Sequence, residues 1–84
     1  MNKEFTDIEL ELIHEFVDKH NGTLIKSKRN FCDFIVVDAP TCYCSIKVVI
    51  EEDKRFIKVC LSEFKEYNPY KCNNPSDLKK ALMP

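Results

Sequence analysis

The sequence predicts an α+β fold: an N-terminal helix packed on a four-stranded antiparallel meander sheet, with a short C-terminal helix, in the order α-β-β-β-β-α. Three observations lead there. An apolar stripe at helical spacing opens the chain, through Ile8, Leu12, Ile13, Phe16 and Val17. Period-two alternation follows, clearest in Cys42, Cys44, Ile46, Val48 and Ile50. The connections between strand segments are short, which favours antiparallel neighbours. One face of such a sheet takes the amphipathic helix in a two-layer sandwich. With 84 residues the chain supports one hydrophobic core, so residues 1–84 are read as a single domain.

The first helix is predicted over Asp7 to His20. Thr6 is its N-cap, Glu9 completes a capping box, and Phe5 and Leu10 occupy the two positions of a hydrophobic staple. Asn21-Gly22 supplies the stop, with Gly22 suited to the left-handed C′ position. Strands are predicted over Thr23 to Ser27 and Phe31 to Val37, joined by a polar turn around Lys28-Arg29-Asn30. Pro40 ends the second ladder. A third strand, Cys42 to Glu51, puts Tyr43, Ser45, Lys47, Val49 and Glu51 on the face opposite its apolar residues. The fourth runs from Arg55 to Ser62. A turn at Glu52-Asp53-Lys54-Arg55 places Ile50 opposite Ile57, Val48 opposite Val59 and Ile46 opposite Leu61, so that one register gathers all six on one side. Glu63 to Asn73 reads as an irregular connection with Phe64, Tyr67 and Tyr70 as aromatic anchors. Asn74 caps a last helix that starts with Pro75 and presents Leu78, Ala81 and Leu82.

Composition narrows the function classes. Apolar runs are too short for a membrane span, and Met1-Asn2-Lys3-Glu4 opens no stretch resembling a signal peptide. The cytoplasm is the expected compartment. Five cysteines, an odd number, fit reduced buried thiols in that setting. The net charge of −1 hides a division: residues 1–20 balance to −4 and the remainder to +3. Such asymmetry bears on partners rather than on fold.

Candidate chemistries are few. Cys42-x-Cys44 places two thiols on one side of a strand, and Cys32 and Cys72 would complete four zinc ligands. The spacing matches no zinc knuckle, and the alternation assigns both strand thiols to the core. No metal or other cofactor is therefore expected, and a small Cys-based metal-binding protein stays an alternative. His14 and His20 lie about 120° apart around the helix, too far to share a metal. Gly22 is the only glycine, which excludes Gly-rich phosphate loops, and no nucleophile elbow is present. The reading is non-enzymatic. Lys26, Lys28 and Arg29 surround the first hairpin turn and define a nucleic-acid-binding alternative. With lysines far outnumbering arginines and a slightly acidic chain, direct nucleic-acid binding is not the expectation.

The first helix carries the leading candidate surface. Asp7, Glu11, Glu15 and Asp18 fall within about 80° of one helix face, away from the apolar stripe. No lysine interrupts them, so each like-charged pair costs roughly a few tenths of a kcal/mol. Glu51-Glu52-Asp53 form a second acidic cluster at a hairpin tip. Carboxylates one helical turn apart approximate the spacing of backbone phosphates. The sequence thus predicts a small protein-binding domain that docks these acids on a basic, nucleic-acid-handling partner protein. An inhibitor of the phage anti-defence type, by analogy of size and surface, has that design. If the sheet face away from the helix is open, Tyr43, Phe56 and Phe64 make it a competing interface or a dimer contact. Monomer and homodimer are both compatible with the sequence.

Overall fold

The computed structural model describes residues 1–62 and 69–83. In chain order they form α1 (Asp7–Lys19), β1 (Thr23–Arg29), β2 (Cys32–Asp38), β3 (Tyr43–Glu51), β4 (Lys54–Ser62), β5 (Pro69–Cys72) and α2 (Pro75–Leu82). The strands make one sheet in sequence order, each antiparallel to the next. The α+β meander implied by the sequence is present with five strands instead of four. The additional strand, β5, falls where an irregular connection was expected. It has four residues, begins with a proline and buries only Cys72, so it carries no alternation to read. A proline is tolerated there because it opens an edge strand. Tyr70 lies in β5 and is half exposed. Phe64 and Tyr67 lie outside the described residues.

α1 begins as the capping residues dictate. The Thr6 hydroxyl accepts from the Glu9 N–H at 3.3 Å, and the Glu9 carboxylate accepts from the Thr6 N–H at 2.8 Å. Phe5 is buried and Leu10 packs against the same core cluster. The helix stop differs from the expectation. Asn21, with φ 52°, takes the left-handed position, and no glycine has positive φ. The Asn21 N–H donates to the Asp18 carbonyl and the Gly22 N–H to the Val17 carbonyl, which is the paired pattern of a Schellman motif. Asparagine tolerates this conformation better than most residues. Gly22 is favoured by close approach instead: a Cβ there would sit 3.0 Å from Val37 Cγ1 and 3.3 Å from the Asp38 carbonyl.

One sheet face is covered by the helices. Ile13, Phe16 and Val17 of α1, with Leu78 and Leu82 of α2, share a buried cluster with Ile35, Val37, Cys44, Ile46, Val48, Ile57 and Val59. Ile8, placed in the stripe by its spacing, stands apart from this cluster and is 58% exposed. It sits at the border of the stripe, about 20° around the helix from Glu15. β1 is an edge strand, with only Leu24 partly buried.

Two hairpin turns depart from the sequence reading for one reason. The β1–β2 turn is Asn30-Phe31 alone, with φ 50° and 67°, so β1 continues to Arg29. The β3–β4 turn is Glu52-Asp53 alone, with φ 51° and 61°. Positive φ at both central residues defines the type I′ turn, whose twist suits a hairpin and whose usual sequence is Asn-Gly. Neither turn contains glycine, which hid both. The shorter second turn moves the β3–β4 register by two residues: Ile50 pairs with Arg55, Val48 with Ile57, Ile46 with Val59 and Cys44 with Leu61. A two-residue shift preserves parity, so the predicted core face survives.

Phe31 holds a left-handed conformation while 81% exposed, so little packing compensates its backbone. Phe31→Gly creates the favoured Asn-Gly turn. It is expected to stabilise the fold by about 1 kcal/mol, the steric penalty relieved less the entropy of the added glycine. A rise in urea midpoint at unchanged slope checks this, and an unchanged or lower midpoint contradicts it.

Candidate functional site

The acidic helix is anchored at its first turn. Arg55, on β4, donates from Nη1 and Nη2 to the two Glu9 carboxylate oxygens at 2.9 and 2.7 Å. Its Nη2 also donates to the Glu4 carbonyl and its Nε to the Asn2 carbonyl, both at 2.7 Å. The bidentate fork matches guanidinium to carboxylate. Burial by itself would raise the Glu9 pKa, but the Arg55 fork and the Thr6 N–H hold it below the usual carboxylate value. A second buried acid supports the same segment. Asp33 accepts the Phe5 N–H at 2.9 Å, and its own N–H donates to the Lys3 carbonyl at 2.8 Å. Burial again pushes this carboxyl up, and the Phe5 N–H and the Lys28 and Lys26 ammoniums overcome it, so its pKa is lowered.

These two acids consume nearby cations. Lys28 lies 3.0 Å and Lys26 3.7 Å from the Asp33 carboxylate. The basic turn of the sequence is therefore not one cluster. In the register of β1 with β2, Lys26 and Lys28 alternate with Arg29 and point to the opposite side of the sheet from it. Asp7, Glu11, Glu15 and Asp18 are all exposed, and among the described residues none of them forms an ion pair. Exposed Ile8 stands at their border. Glu51, Glu52 and Asp53 are likewise exposed at the β3–β4 tip. Arg55, two residues beyond that tip, ties the base of the hairpin to the first turn of α1.

All five cysteines are buried and none is in a disulfide. Burial, with Cys42 and Cys60 nearby, pushes the Cys44 thiol up to about 12; burial, with Asp77 nearby, pushes Cys72 up to about 11. Among the described residues no three His, Cys, Asp or Glu side chains are grouped to hold a metal ion. Cys44 and Cys72 are expected to resist iodoacetamide at neutral pH and to react only on unfolding, since the thiolate is the nucleophile. Mass spectrometry of the alkylated native protein checks this.

The face of the sheet away from the helices carries a feature the sequence did not disclose. A cross-strand row runs Ser27, Phe34, Lys47, Lys58, Lys71, each residue paired with the next. Three lysines thus stand side by side on adjacent strands, about 4.8 Å apart. The Arg29 guanidinium lies 4.5 Å from the Phe34 ring centre and the Lys71 ammonium 4.2 Å from that of Phe56. A concave depression of about 310 Å³ is lined by Arg29, Phe34, Tyr43, Ser45, Lys47, Lys58, Cys60 and Pro69. Lys47 was legible as a residue of this face. Lys58 falls on this face too, but its place beside Lys47 was hidden, because the expected register set Cys60 opposite Lys47.

Glu9 and Asp33 give stability a pH dependence of known sign. Both folded pKa values are lowered, so each contribution is complete above the unfolded carboxylate values and is lost as pH falls through the folded ones. The urea midpoint should hold steady near neutrality and fall below about pH 5. The double variant Glu9→Gln, Asp33→Asn should flatten that fall; an equally steep profile would assign the acid sensitivity to other groups.

Compared with known proteins, the chain matches no family model, no curated protein sequence and no solved structure, so its function has to be read from these surfaces.

Proposed function

We propose that this chain is a non-enzymatic protein-binding domain that docks the exposed face of α1 on a basic surface of a nucleic-acid-handling partner, in the manner of a small inhibitor. The supporting observation is a contrast among its acids. Glu9 and Asp33 are buried and each is matched to cations. Asp7, Glu11, Glu15 and Asp18 are left exposed on one helix face and, among the described residues, without ion pairs. Uncompensated like charges at these spacings oppose the helix slightly, and a basic partner relieves that cost.

Ile8 adds a second element. A lone exposed isoleucine is ordinary, but this one borders the carboxylates and supplies an apolar contact within a charged rim. The Arg55 fork and the capping box hold the helix in place before docking, which limits the entropy lost on association. Glu51, Glu52 and Asp53 offer a second exposed acidic group, at the tip of the hairpin whose base Arg55 ties to Glu9.

Tagged protein would be used to capture partners from a nuclease-treated lysate of the source cells, beside the variant Asp7→Lys, Glu11→Lys, Glu15→Lys, Asp18→Lys. Circular dichroism would verify both folds. The expected result is a nucleic-acid-handling protein held by the wild type and lost from the variant, with Ile8→Ala weakening its capture about tenfold. Identical captures by wild type and quadruple variant would sink the proposal.

A further inference from the structure

We infer that the sheet face opposite the helices binds a single strand of nucleic acid through its phosphates, at a surface distinct from the α1 face. The row Lys47, Lys58, Lys71 carries the inference. Each lysine is paired directly with the next across β3, β4 and β5. Like charges in directly opposed positions destabilise a sheet, and here two such pairs are consecutive. Lys47 and Lys58 are also half-buried, which weakens the screening that water gives a fully exposed pair. Among the described residues none of the three forms an ion pair, whereas Lys26, Lys28 and Arg55 are each matched to a carboxylate. A bound anion removes the repulsion.

The geometry favours a polymer of phosphates. Arg29 extends the row's charge from the far side of Phe34, where its guanidinium lies over the ring. Lys71, at the end of the row, lies with its ammonium over the Phe56 ring. Both cations are held on aromatic faces, and among the described residues neither forms an ion pair. Beside the row lies the depression of about 310 Å³, lined by Arg29, Lys47 and Lys58 among others, with Tyr43 half exposed at its wall. A depression of this size with an aromatic wall admits a flexible strand and a stacked base, and it is too small to seat a duplex. Lysines contact phosphates as point charges and read no base edges, so binding is indifferent to sequence.

Fluorescence anisotropy with a short labelled oligothymidylate tests the inference. Its affinity should fall with salt at a logarithmic slope of about −3, as four phosphate contacts on a single strand require. Lys58→Glu sets a carboxylate between Lys47 and Lys71. The variant should melt at the same temperature or higher, yet bind roughly tenfold more weakly with a shallower salt slope. The quadruple α1 variant should bind the oligonucleotide at least as well as the wild type, so failure here and failure of the α1 reading are separable. Absence of binding, unchanged affinity in Lys58→Glu, equal affinity for the matching duplex, or equal competition by polyglutamate would each overturn the inference. The last would assign the face to an acidic protein segment.

Discussion

The fork of Arg55 on Glu9 fixes how the two layers meet. One guanidinium binds both oxygens of a carboxylate in α1 and two carbonyls of the segment before it, while its own backbone belongs to β4. Glu9 is at the same time the closing residue of the capping box. The position that starts the helix is thus the position that binds it to the sheet. Asp33 repeats the arrangement from β2, joined to Phe5 and Lys3 by backbone bonds on both sides. Burying two carboxylates is costly unless each lone pair finds a donor, and here the buried polar side-chain atoms of the described residues are all satisfied.

Most of the fold was legible because local signals agreed with the long-range pattern. The capping box, the staple and the stripe all placed the start of α1 at Asp7, and the alternation of β3 identified its core face before any pairing was known. What escaped was set by backbone conformation without the residue that advertises it. Asn30-Phe31 and Glu52-Asp53 adopt left-handed turns that glycine usually marks, so both turns were drawn too long. β5 escaped because four residues with one buried position carry no period. The Arg55–Glu9 pair was invisible for another reason: Glu9 already had a complete local explanation as a capping residue. The lysine row depended on the displaced β3–β4 register, since only the true pairing sets Lys58 beside Lys47, and on β5, which sets Lys71 beside Lys58.

Net charge also proved a poor guide to surface chemistry. A value of −1 averages an acidic helix face and a basic sheet face on opposite sides of a thin two-layer domain. The sum argues against nucleic acid, whereas the distribution sets cations together where no acid among the described residues offsets them. The basic turn, attractive in the sequence, is divided by the sheet pleat and partly spent on Asp33. Charges count for recognition only after those used in holding the fold have been subtracted.

The anchoring of α1 has a consequence for biogenesis. Arg55 lies 46 residues downstream of Glu9. At a ribosomal rate of about 5–20 residues per second, α1 waits several seconds for its partner to be synthesised. During that interval Thr6 and Glu9 can satisfy each other locally, so the nascent helix has a cap before it has a sheet. Isolated helices of this length are marginal in water, and the reciprocal cap favours the emerging turn. The meander then assembles by hairpins between consecutive strands, and the emerging β4 brings the guanidinium that completes Glu9. Dual use of one carboxylate thereby links the earliest local structure of the chain to the closure of α1 on the sheet.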